Sequence, residues 1–363
     1  MAKKLSSDST LFAVTVALLG FGLVAVWSAS TALAEELHGN AYHFLIRQVL
    51  WAVVGLGAMA GAMQLDYRVL RQRRVVYTVV IVTTLLLIVA LFMSEVNGTH
   101  RWLRLGPLSF QPAELAKLAS ILFLAYHLER KGERVNDFLP SLFPALLLLV
   151  WFAFLIFIQP DLGSAATLVL IGSLMLFLAG VQLRYFVVLA LLALPLLYSA
   201  IFSASYRSLR IVAYLNPWAD ARGSGYQIIQ SLIAVGTGGV TGVGLMQGHQ
   251  KLFYLPYPYS DFIYAVIGEE LGMIGAAAVV AMFVLLMWRG IRAAWKAPDA
   301  FGTFLASGLT LAIVVQALIN ISVVLGLLPT KGIPLPFISA GGTSLVVTLF
   351  SAGLILNISQ HAD

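Results

Sequence analysis

The sequence predicts an all-α polytopic membrane protein of about ten transmembrane helices, with a large extracytoplasmic loop between helices seven and eight. Three observations carry this. Hydrophobic residues fill 60% of the 363 positions and charged residues only 10%, where a soluble domain carries about 25% charge. Apolar runs of spanning length recur along the whole chain. Lysines and arginines gather in alternate connecting segments. The absence of cysteine excludes disulfides and thiolate metal sites. The net charge of +6 is spread over short loops, so nucleic acid is not an expected partner. We read residues 1–363 as one integral membrane domain, with its extracytoplasmic loop at about 203–260.

The first apolar run, 11–33, follows Lys3 and Lys4 and ends near Ala32-Leu33-Ala34, which imitates a secretory signal. It is longer than a signal core and more spans follow, so it reads as an uncleaved helix. Further runs lie at 44–63, 75–93, 113–128, 138–158, 164–180, 183–202, 262–288, 301–328 and 339–358. Ten crossings put both ends on one side. That side holds thirteen basic residues in short segments, among them Lys3, Lys4, Arg68, Arg71, Arg130 and Arg289. It is therefore cytoplasmic.

The outer segments hold the chemistry. In 97–117, Arg101 and Arg104 flank Trp102. Trp102 is either an interfacial anchor or part of a site where guanidiniums and an aromatic receive a phosphate or sugar headgroup. Glu114 and Lys117 are three apart, share a helix face and face the bundle interior, as a packing pair or as substrate groups. Asp161, in Gln159-Pro-Asp-Leu-Gly163, is a helix cap or a member of the same outer site. Arg207 and Arg210 lie on one helical face. Residues 226–235 are amphipathic, with Gln227, Gln230 and Ser231 on one side, as for a helix lying at the interface. Residues 236–248 are glycine-rich without phosphate-loop spacing and read as a flexible hinge. Residues 328–343 are broken by proline and glycine, a pattern that survives at membrane depth only under protein cover or along a cavity. No internal repeat argues for an inverted-repeat transporter.

The chain is organised around residues 252–275. A proline-broken aromatic approach turns at Ser260-Asp261 into a long apolar helix. Ser260 or Asp261 suits the N-cap of that helix. Glu269 and Glu270 follow roughly 12–14 Å deeper at 1.5 Å per residue. Carboxylates at such depth need partners or work to do.

Five stretches then resemble one family. They are HRWLRLGPLSFQPAELAK at 100–117, QPDLG at 159–163, GYQIIQSLIAVGTGG at 225–239, QKLFYLPYPYSDFIYAVIGEELG at 250–272 and GLLPTKGIPLPFISAGGTSL at 326–345. Together they resemble the SEDS (shape, elongation, division and sporulation) family of bacterial cell-wall membrane proteins over nearly the whole chain, closer to its division branch than to its elongation branch.

The resemblance implies a peptidoglycan glycosyltransferase in the bacterial cytoplasmic (inner) membrane, polymerising lipid II on the outer face. Lipid II is the undecaprenyl-pyrophosphate-linked disaccharide peptide, and the implied partner is a class B penicillin-binding protein. The family's acidic motif residue falls on Asp261, the implied general base, and its functional tryptophan on Trp102. Arg101, Glu114, Lys117, Asp161 and Arg210 match further motif positions. Arg207 adds a cation for the pyrophosphate. An α-linked donor and a β-linked product imply inversion by direct displacement. The resemblance assigns no definite cofactor. A divalent cation, Mg or Mn, is compatible with the pyrophosphate, although the scattered carboxylates form no metal motif. The sequence departs from the family pattern at Tyr257, where Glu is usual, at Tyr259, where His is usual, and at Ala340, where Tyr is usual.

Two other functions remain open. A lipid II flippase would use Glu114, Lys117, Glu269 and Glu270 as a polar path. A non-catalytic scaffold would activate a partner synthase.

Overall fold

The computed structural model describes residues 7–93, 99–105, 108–202 and 205–361; Lys3, Lys4 and Asn97 lie outside the described residues. Every predicted apolar run is a helix. In chain order they are α1 (Ser9–His38), α2 (His43–Gln64), α3 (Arg73–Leu91), α4 (Pro112–Lys131), α5 (Phe143–Ile158), α6 (Leu162–Leu178) and α7 (Leu183–Phe202). Two extra helices, α8 (Ser205–Leu215) and α9 (Tyr226–Gly238), occupy the long connection. They are followed by α10 (Ile263–Trp295), α11 (Ala300–Val324) and α12 (Gly342–Ser359). A small antiparallel hairpin, β1 (Leu103–Leu105) with β2 (Leu108–Phe110), precedes α4.

Seven of the described helices are long and apolar enough to cross a membrane: α1, α2, α3, α5 with its preceding turn, α10, α11 and α12. Two of the other predicted runs fall short for physical reasons: α4 carries Glu114, Lys117, Glu129 and two terminal cations, and α6 has 17 residues. α7 is a continuous helix with Pro195 inside it. α11 and α12 form the centre, with 67% and 72% of their apolar windows buried, against 22% for α2, α3 and α10. The outer helices turn their remaining apolar surface outward, as a lipid solvent permits.

Three local expectations change. The glycine-rich stretch is packed rather than a free hinge. α10 breaks at Gly272, whose φ is 64°, and that break receives the stretch. The amides of Val243 and Gly244 donate to the carbonyls of Glu269 and Glu270, both at 3.0 Å. A Cβ at Gly242 would stand 2.1 Å from the Glu270 carbonyl oxygen, so the glycines permit backbone-to-backbone contact there. α9 does not lie free at the interface either. Ser231, expected on its polar side, is buried and donates to the Val324 carbonyl at 2.7 Å. Finally, neither Ser260 nor Asp261 caps α10. The chain turns through Tyr257–Phe262, Phe262 occupies the cap, and no side chain bonds the first amides.

The segment between α11 and α12 is irregular and buried. Leu335, Phe337 and Ile338 are covered, and Gly22 of α1 packs directly on the Phe337–Ile338 backbone. This is the protein cover that non-helical backbone requires.

Candidate active site

Two irregular segments meet at one end of the helices. One is the turn before α10 that carries Asp261; the other is the connection from α11 to α12. Their backbones are tied together. Ala340 N–H donates to the Tyr259 carbonyl at 2.9 Å, and Ser339 Oγ donates to the Ser260 carbonyl at 2.5 Å. Asn320 Nδ2 donates to the carbonyls of Asp261 (2.9 Å) and Ile333 (2.8 Å). Gly332 lies against the carboxylate: a Cβ there would stand 2.9 Å from Asp261 Oδ2.

Freed from capping, Asp261 is half-buried. Burial pushes its pKa up to about 6, against opposing pulls from Arg101, the Ser260 hydroxyl and Arg210. Among the described residues no cation comes within 4 Å of it. Asp161 is more fully engaged. It caps α6 through Ser164 N–H at 3.0 Å, accepts from Ser164 Oγ and Gln111 Nε2, and lies 3.9 Å from Arg101 Nη1. It therefore caps α6 and lies beside Arg101 at once. Arg101 Nε is buried with no hydrogen-bond partner among the described residues. Arg210 Nη1 reaches the Thr330 carbonyl at 3.4 Å. Lys331 joins the cluster; burial pulls its pKa down, Asp161 opposes this and Arg210 adds to it. Its side chain runs past Gly163, beside Asp161.

The cluster thus unites Asp261, Asp161, Arg101 and Arg210 with Lys331 and Gly332, which sequence reasoning missed. Both lie in the 326–345 motif, but Lys331 read only as one of several scattered basic residues. Trp102 follows Arg101 at the mouth of the hairpin and is half-buried. Thr343, at the start of α12, donates to the Ser109 carbonyl and accepts from Gln111 N–H, which fixes the hairpin.

Glu114 and Lys117 lie below the cluster as a buried ion pair at 2.9 Å. Lys117 also donates to Gln316, whose amide reaches the Pro334 carbonyl in the same irregular segment. Arg207 is not drawn in. Its guanidinium stacks over Phe157 at 4.8 Å.

Of the residues that depart from the family pattern, Ala340 lies on the segment bonded to the Asp261 turn, and Tyr257 and Tyr259 lie on the approach to it. Tyr259 stacks on Phe44 at 4.5 Å between ring centres, and Tyr257 is exposed. A resident metal fits poorly. No three metal-ligating side chains gather among the described residues, and the Asp161 oxygens are committed. Asp261 would be a single protein ligand.

Fold and cluster together define a polytopic all-α membrane protein with an acid–cation site at one end of its helices. The chain belongs to the family of cell cycle proteins comprising FtsW, RodA and SpoVE, whose model matches residues 9–363. The probable peptidoglycan glycosyltransferase FtsW of Geobacter sulfurreducens is 45% identical over 98% of this chain and 95% of its own length. Stage V sporulation protein E of Bacillus subtilis is 44% identical over 99% of both. A solved peptidoglycan synthase complex, described for its coordination of polymerization and crosslinking, aligns with a TM-score of 0.79 at 31% identity, covering 98% of each chain. The rod shape determining protein RodA of Thermus thermophilus aligns at 0.72 and 28%, over 98% of this chain and 97% of that one.

Proposed function

We propose that this chain is a peptidoglycan glycosyltransferase that polymerises lipid II at the outer face of the bacterial cytoplasmic membrane, with Asp261 as the general base. One observation carries the reading: a desolvated carboxylate, poised at about 6, shares its cluster with Arg101, Arg210 and Lys331. The names of relatives that span nearly the whole chain point to the same chemistry.

The acceptor hydroxyl gives its proton to Asp261 while its oxygen bonds to the donor's anomeric carbon. The anomeric carbon–oxygen bond to phosphate breaks, and its electron pair leaves with undecaprenyl pyrophosphate. A base whose pKa lies near the working pH contributes about 10²–10⁴-fold. The cations receive the charge that builds on the pyrophosphate. A single uncommitted carboxylate matches inversion in one displacement, because no second group is needed as nucleophile. Trp102 and Arg101 hold the headgroup, and the Glu114–Lys117 pair supports the segment that carries Lys331.

The ten apolar runs are crossings, the termini face the cytoplasm, and residues 203–260 lie outside. A cysteine placed at exposed Gly223, in a chain with none of its own, reacts with an impermeant thiol reagent in intact cells. Reaction only after membrane rupture would overturn this orientation. The partner is a class B penicillin-binding protein that crosslinks the strands. The FtsW names favour a division role, with the sporulation relative almost as similar.

The flippase reading loses its polar path. Glu270 is paired with Lys251 at 2.6 Å and bridged by Ser28, and Glu269 accepts backbone amides of His249 and Gln250. The deciding experiment is glycan-strand synthesis from lipid II by the purified protein, with and without its partner. Synthesis by the pair is expected; translocation without polymer would favour the flippase.

A further inference from the structure

We propose that Asn320 is a positioning residue of this site: its two amide protons hold the Asp261 turn and the Lys331 segment as one rigid unit. The inference rests on the reading of Asp261 as the base and extends it to a buried residue in the middle of an apolar helix.

Asn320 lies in α11 and is 1% exposed. A primary amide there is costly unless its polar atoms are used. Its nitrogen carries two protons, and each meets a different segment: the Asp261 carbonyl at 2.9 Å and the Ile333 carbonyl at 2.8 Å. Both segments are irregular, so neither carbonyl has a helical partner. The second segment is itself tightly bent there, with Ile333 N–H bonded back to the Lys331 carbonyl at 3.0 Å. One side chain therefore sets the backbone of the base and, two residues from its other contact, that of a cation.

Ser339 supplements the clasp. Its hydroxyl accepts from Leu335 N–H and donates to the Ser260 carbonyl. It has one proton, however, and spans to the Asp261 turn alone. The chemistry of the joint needs two donors on a short neutral stem, which among the side chains is asparagine or, with one more methylene, glutamine. Asn320 Oδ1 has no partner among the described residues; the joint is made by the two N–H groups.

The consequence is specific. If the clasp loosens, the two segments part, water reaches Asp261, and the burial that raises its pKa weakens. A misplacement of about 1 Å costs roughly a hundredfold in rate, so the expected loss in kcat for Asn320→Ala is about tenfold to a hundredfold, with KM changed less than threefold. The acid limb of the pH–kcat profile moves to lower pH.

A role in folding alone would lower the yield of protein and leave kcat per folded molecule and the acid limb unmoved; that result would overturn the proposal. Asn320→Ser, which keeps one donor, and Asn320→Gln, which keeps two, are expected to fall in that order between the alanine variant and the parent.

A second measurement does not depend on activity. Spin labels on cysteines placed at exposed Tyr254 and Leu328 report the distance between the two segments. A narrow distribution in the parent and a broad one in Asn320→Ala is expected; equal widths would overturn the clasp. Broadening with an active Asp261→Asn variant would leave the clasp standing and sink the general-base reading instead.

Discussion

Four carboxylates of this protein show two kinds of surroundings. Glu114, Glu270 and Asp8 each close onto one cation: Lys117 at 2.9 Å, Lys251 at 2.6 Å and Arg289 at 2.5 Å. Asp261 has no such partner. Its cations stand back, and its backbone carbonyl is held by Asn320. Closed pairs fix where helices sit, because separating them leaves a charge in a medium that cannot solvate it. An open carboxylate ringed by distant cations is poorly arranged for stability and well arranged for a ligand that brings its own negative charge and a proton to give away.

Breaking a closed pair should give the largest effect on stability. Lys117→Ala leaves Glu114 unpaired in the bundle and should cost roughly 3–5 kcal/mol, seen as lost expression and a lower melting temperature in detergent. A variant as stable as the parent yet inactive would move Lys117 into the open class.

Asp261→Asn should do the reverse. Folding and partner binding stay intact, while polymerisation from lipid II falls at least about a hundredfold. Normal synthesis by the pure variant would remove the distinction on which the comparison rests.

Acidity separates the two kinds next. Since Asp261 is pushed up from 3.8 to about 6, activity should drop about tenfold per pH unit below 6. The stability contribution has the opposite sign. A folded-state pKa above the unfolded one favours folding below 3.8, and that contribution is lost as pH rises through 6. Melting temperature and rate measured across this window should diverge; a parallel fall of both would assign the acid limb to unfolding.

The smallest effect belongs to a closed pair near water. Arg71, whose side chain is 50% exposed, bonds Glu129 at 2.9 Å. Arg71→Ala should change stability by about 0–1 kcal/mol, and a larger loss would show that closure matters more than burial.

Hydropathy alone located all ten long helices, because apolar length is what a bilayer demands of a chain. The Arg101, Asp161 and Asp261 grouping was legible through motifs, although some 160 residues separate its ends. Three things were not. The cap of α10 falls on Phe262 because tertiary bonds from Ser339 and Ala340 hold the preceding turn open, and no local propensity encodes them. The glycines of 236–248 read as slack, since a sequence shows missing side chains and not the backbone that fills their place. The roles of Lys331 and Asn320 were not legible because they lie in what each faces across the bundle, Asp161 and the Asp261 turn, rather than in their neighbours along the chain.

The buried contact among Ser28, Lys251 and Glu270 also imposes a schedule. Ser28 and Glu270 are 242 residues apart, and at about 5–20 residues per second of synthesis roughly 12–48 s pass between the making of one and the other. Lys251 is made 19 residues before its counter-ion. Until α10 has entered the membrane, α1 waits without its polar anchor and Lys251 without its carboxylate. A ribosome that stalls between them leaves an incomplete chain already marked, by an unpaired charge, for whatever machinery removes failed insertions.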